Sequence, residues 1–99
     1  MDQTKEGLPV LKAHMRVKNR MGLHARPATH IVKMLHGKKS QVYFSYRENR
    51  VDAKSVLGLL LLGAPRHATI FVEVSGPDAE QTLELIQNAF ETGLGDSTL

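Results

Sequence analysis

The chain has 99 residues, a formal net charge of +3, 41% hydrophobic residues and no cysteine. That length makes one domain with a modest core and two layers of secondary structure, and the apolar content excludes a disordered chain. Without cysteine there are no disulfides or thiolate metal sites, and neither the short apolar runs nor the charged first twenty residues read as a membrane span or a secretory signal, so a soluble cytoplasmic protein is expected.

Residues 1–9, ending in Gly7-Leu8-Pro9, are polar and read as a flexible extension. Residues 10–18 alternate as a strand, with Leu11, Ala13, Met15 and Val17 on one apolar face. A glycine-containing loop over 19–23 leads to a helix over 25–36, where Ala28, Ile31, Val32 and Leu35 form an inward stripe and Gly37 closes the end. Residues 40–46 alternate as a second strand, which a turn over 47–49 joins to a short third strand over 50–53. Ser55 is an N-cap residue for a short helix over 56–62, closed by Gly63. Residues 69–75 form a β-rich fourth strand. Gly76-Pro77-Asp78 then turns, with Asp78 as N-cap of a last helix whose core face is Leu83, Ile86, Gln87 and Phe90, and Gly93 ends it. The order βαββαβα with short connections predicts an α+β fold: an antiparallel sheet with helices on one face. The domain is expected to span 10–95, with a tail over 96–99.

Residues 22–28, Gly-Leu-His-Ala-Arg-Pro-Ala, hold the chemistry. Pro27 fits a first helical turn because its ring presets φ and its missing N–H would go unpaired there anyway. His24 then falls near the N-cap, where free backbone N–H groups of Ala25 and Arg26 and the positive end of the helix dipole favour an anion. Arg26 adds a permanent cation whose planar fork suits phosphate oxygens. Imidazole is nucleophilic near neutral pH and leaves readily once protonated. The combination points to a histidine that carries a phosphoryl group.

This heptapeptide resembles the active-site signature of the HPr family, the small phosphocarriers of bacterial phosphotransferase systems. Residues 53–59, Ala-Lys-Ser-Val-Leu-Gly-Leu, are similar to the family's serine segment, and Gly76-Pro77 before a terminal helix resembles its ending. The resemblance covers roughly residues 10 to 95. It implies an open-faced sandwich of four antiparallel strands covered on one face by three helices. It further implies a relay in which His24, through Nδ1, accepts a phosphoryl group from phosphorylated enzyme I and passes it to enzyme IIA domains. Such a protein is a relay with a covalent phosphohistidine rather than a stand-alone enzyme, and it needs no cofactor. Asn19-Arg20-Met21-Gly22 and the stretch 90–95 also resemble the nitrogen-related branch of the family, NPr. Departures from the family pattern are the extension over 1–9, His67 where glycine is usual, and Met21 in place of a small polar residue.

A phosphocarrier must dock two partners. If Val56, Leu59 and Leu62 face the core, then Leu57, Leu60 and Leu61 cannot all be buried, and an exposed leucine cluster marks a contact surface. The resemblance places Ala25, Thr29, Val56, Leu57 and Leu60 there. Ser55 is a cap residue that a dedicated HPr kinase/phosphorylase modifies in some family members, so that kinase is a further candidate partner. Residues 1–67 hold all 13 Lys and Arg and four acids, +9, whereas the remainder holds six acids and no base, −6. The bases are scattered and there are only five aromatics, which favours an acidic protein partner over nucleic acid, although a basic α+β nucleic-acid-binding module is the alternative from another class. His14, His30, His36 and His67 lack metal-ligand spacing, no metal site is expected, and the protein is read as a monomer.

Overall fold

The structure, a computed structural model, describes residues 9–96. Seven elements appear in the expected order: β1 (Val10–Arg16), α1 (Ala25–Leu35), β2 (Gln41–Tyr46), β3 (Asn49–Asp52), α2 (Val56–Leu62), β4 (Thr69–Ser75) and α3 (Ala79–Glu91). The strands form one sheet in the order β1-β4-β2-β3, every pair antiparallel. Apart from Pro9 and Asp96, the extension over 1–9 and the tail over 96–99 lie outside the described residues.

Alternation along the strands decides which face of the sheet is covered. Ile70, Val72 and Val74 of the central β4 are fully buried, as are Val42 (1% exposed) and Phe44 of β2, while the residues between them are not. The three helices close over that face: α3 contacts β1 and β4, α2 contacts β2 and β3, and α1 packs between its two helical neighbours. Their inward residues, Ile31, Leu35, Leu59, Leu62, Ile86 and Phe90, complete the core, with the rings of Phe44 and Phe90 5.8 Å apart. Burying each such side chain contributes about 1.5–3 kcal/mol.

Element ends differ from the sequence reading by a residue or two, each for a local reason. Ser40 stays outside β2 because its N–H and hydroxyl are taken by Asp78. The β2–β3 turn is tighter than expected, Arg47-Glu48, with Arg47 at φ 55, the sign that the twist of a two-residue hairpin favours. β1 stops at Arg16, although Val17 continues the pattern by donating to Ala68 O at 2.9 Å. In α3, Gln87 faces solvent instead of the core, since Thr82, Ile86, Ala89 and Phe90 fill the inward stripe. Asp78 does occupy the N-cap position, but its side chain makes no cap bond and reaches across to Lys39 and Ser40. His67 adopts φ 73, a left-handed conformation that glycine takes at no steric cost and histidine does not.

Candidate functional site

The loop that delivers His24 is fixed from both sides. Asn19 is fully buried, and Gly22 N–H returns to its carbonyl at 3.0 Å. Gly22 has φ +72 and sits against the Ala64 carbonyl, where a Cβ would collide. That same carbonyl accepts from Leu23 N–H at 3.0 Å, and Leu23 is buried. The position therefore requires glycine on both counts: a left-handed backbone and no side chain. Held this way, His24 becomes the N-cap of α1 with extended φ −82 and ψ −168.

Its side chain makes no cap bond. The first rung of the helix is Ala28 N–H to His24 O at 3.1 Å, so the N–H groups of Ala25 and Arg26 lie ahead of the ladder and Pro27 has none to offer. No acidic residue occupies the first turn. Arg26 is exposed. With Thr29, His30, Lys33 and Gly95, these first-turn residues and His24 line an open depression on the molecular surface. Its charged side chains, Arg26 and Lys33, are cationic, and it opens to solvent. The Thr29 hydroxyl turns inward to Ala25 O at 2.7 Å.

Beneath the imidazole lies a residue that the sequence reading places in the tail and gives no role. His24 Nε2 is 3.0 Å from Oδ2 of Asp96; the histidine side chain is 31% exposed and the aspartate side chain 3%. Asn19 Nδ2 donates to Gly93 O at 2.8 Å and to the same Asp96 oxygen at 3.4 Å. Those two acceptors set the amide orientation, which leaves Asn19 Oδ1 buried without a hydrogen-bond partner among the described residues. Sequence spacing carried no direct signal for this cluster, since 72 residues separate His24 from Asp96. The one available clue was the Gly93-Leu94-Gly95 stretch, whose two glycines mark a sharp turn.

The remaining candidates sit on α2. Ser55 caps it, accepting from Gly58 N–H at 3.0 Å. Leu59 and Leu62 are buried and Val56 is half-buried, whereas Leu57, Leu60 and Leu61 are 65%, 41% and 68% exposed. The helix therefore splits its leucines between core and surface. Ser55, Val56, Leu57 and Leu60 do not line the depression around His24; they lie on the helix packed beside α1. His14 stands apart on the sheet, its ring 5.0 Å from that of Phe71.

An α+β sandwich that displays a histidine at the N-cap of a helix, beside two cationic side chains and the backbone donors of the first turn, presents a surface suited to an anion such as a phosphoryl group. Residues 11–92 match the family model described as the PTS HPr component phosphorylation site. The chain is 38% identical over 93 residues to a phosphocarrier protein HPr of Chlamydia pneumoniae, covering 94% of this chain and 86% of that one. To its counterpart in Chlamydia muridarum it is 35% identical over 86 residues, covering 87% and 83%. Among solved structures, HPr-C-His from Thermoanaerobacter tengcongensis superposes with a TM-score of 0.82 at 28% identity, over 88% of this chain and 98% of that one. A phosphocarrier protein HPr from Bacillus anthracis gives 0.77 at 26% identity, over 82% and 96%. The chain belongs to the HPr family, the phosphocarriers of the phosphotransferase system. Among the described residues no helix is long and apolar enough to cross a membrane.

Proposed function

We propose that His24 is the residue that carries the phosphoryl group, taking it from phosphorylated enzyme I and giving it to enzyme IIA domains. The observation that carries this reading is the engagement of Nε2 by Asp96 at 3.0 Å, which leaves Nδ1 as the ring nitrogen available for attack. The Nδ1 lone pair bonds to phosphorus as the donor's own bond breaks, and the electron pair of that bond stays with the donor. The Ala25 and Arg26 N–H groups and the Arg26 guanidinium hold the equatorial oxygens while charge redistributes. Because the depression is open, the group can be delivered by one protein and collected by another. Ala25, Thr29, Val56, Leu57 and Leu60 form the docking surface, whose apolar part is on α2.

Ser55 fits a regulatory role at the same surface. A phosphate on it would place about −1.5 to −2 charge beside the exposed leucines, on a face that meets acidic partners. The reading is of a cytoplasmic monomer on the HPr branch; the relatives described above carry that name, which supports it over the nitrogen-related branch. The test is incubation with enzyme I and phosphoenolpyruvate: the wild type should gain an acid-labile phosphoryl group and His24→Ala should not.

A further inference from the structure

Asp96 is a buried carboxylate that enters the phosphoryl relay above only as the group in contact with Nε2. The fold takes trouble to place it. At the end of α3, Leu94 N–H returns to Ala89 O at 2.8 Å and Gly93 N–H to Phe90 O at 3.4 Å, the two bonds of a Schellman turn. Gly93, Leu94 and Gly95 all have positive φ, of 96, 55 and 75. A leucine takes that conformation only when its surroundings hold it there, and Leu94 is fully buried. Gly95 passes so close to the His30 ring that a Cβ would lie 2.6 Å from its Nδ1. The curl ends with Asp96 N–H on Gly93 O at 2.9 Å and the carboxylate under His24.

We propose that Asp96 is a positioning residue for His24, whose carboxylate keeps the proton on Nε2 while Nδ1 takes and gives up the phosphoryl group. This rests on His24 being the acceptor. An ionised carboxylate can only accept, so the nitrogen facing it must donate, and in a neutral ring the other nitrogen then holds the lone pair. When Nδ1 bonds to phosphorus the ring becomes cationic, and that charge faces Asp96. When the group departs, the N–P electron pair returns to Nδ1 and neutral imidazole is regained. The Nε2 proton stays in place throughout. Asn19 supports the arrangement by donating to the same carboxylate oxygen, so the cluster orients the ring as well as its tautomer.

The test uses the full chain with nitrogen-15 in its histidines, and phosphoramidate as the phosphoryl donor. In the wild type, the imidazole spectrum of His24 should show the proton on Nε2. In Asp96→Ala the two nitrogen shifts should approach each other as the second tautomer fills, and phosphoryl uptake should slow by about 10-fold or more. Asp96→Asn, which keeps an acceptor oxygen, should recover the Nε2-protonated form at least in part. A proton on Nδ1 in the wild type overturns the proposal whether or not the variants fold. Unchanged shifts or an unchanged rate in a folded Asp96→Ala also overturn it. Phosphoryl uptake at a site other than His24, seen as label on His24→Ala, removes the acceptor reading and the proposal with it.

Discussion

Asp78 Oδ1 accepts both the N–H and the hydroxyl of Ser40, a residue 38 positions earlier, with the backbone bond at 2.9 Å. Its second oxygen takes Lys39 N–H at 2.9 Å, and Thr82 adds a weaker bond at 3.3 Å. One carboxylate thus ties the loop leaving α1 to the start of α3. Ser40 is fully buried, so without Asp78 its backbone and hydroxyl would be stranded away from water.

That clamp should make stability depend on acid. The Ser40 hydroxyl and the Lys39 N–H, followed by the Ser40 N–H and Thr82, hold the Asp78 carboxyl well below its ordinary value of 3.8. The folded state therefore binds this proton less readily than the unfolded state, and the contribution is present in full above the unfolded value. It is lost progressively as pH falls from there toward the folded value. Urea midpoints measured from pH 6 down to pH 2.5 should fall in the wild type through that range. Asp78→Asn should start lower at pH 6 and lose less on acidification; a parallel decline would remove Asp78 as the cause.

His67 offers a stability gain. It sits at φ 73, a conformation that costs a non-glycine residue roughly 1–2 kcal/mol, while its N–H bond to Val17 O at 2.8 Å does not depend on the side chain. After allowing for the greater freedom of glycine in the unfolded chain, His67→Gly should stabilise the protein by about 0.5–1 kcal/mol. Gly22→Ala makes the opposite case: φ +72 and the Ala64 carbonyl together should cost on the order of 2–3 kcal/mol. Chemical denaturation of both variants against wild type gives the two signs directly.

The leucines of α2 should separate docking from folding. Leu59 is fully buried, and Leu59→Ala should cost about 2–5 kcal/mol. Leu57→Ser, at a position 65% exposed, should stay within about 0.5 kcal/mol of wild type. If this face meets the donor protein, the same Leu57→Ser change should raise KM for phosphoryl transfer from enzyme I several-fold. Its uptake from a small-molecule donor should stay unchanged. Equal KM values for wild type and variant would place docking elsewhere.

Much of this architecture was readable before the structure, because local signals agreed with one another. The alternation in 69–75, the Ser55 cap and Gly63 each report on neighbours only a few residues away, and α2 and β4 fall where they were expected. The grouping of His24, Ala25 and Arg26 was legible for the same reason: one helical turn brings them together. What escaped depends on contacts between distant segments. Asp78 looked like a cap because its long-range partner Ser40 cannot be seen from position 78, and Gln87 fitted the helical stripe by spacing alone. Asp96 and Asn19 were missed entirely, since their roles exist only once the curl over 93–95 returns the chain to the site.

The central claim, that His24 is the phosphoryl carrier, is tested most directly by locating the phosphoryl group after incubation with enzyme I and phosphoenolpyruvate. The account predicts one acid-labile group per chain, mapped to His24, absent from His24→Ala and formed about 10²-fold more slowly in Arg26→Ala. A label that survives in His24→Ala, or a wild type that acquires none, would contradict it.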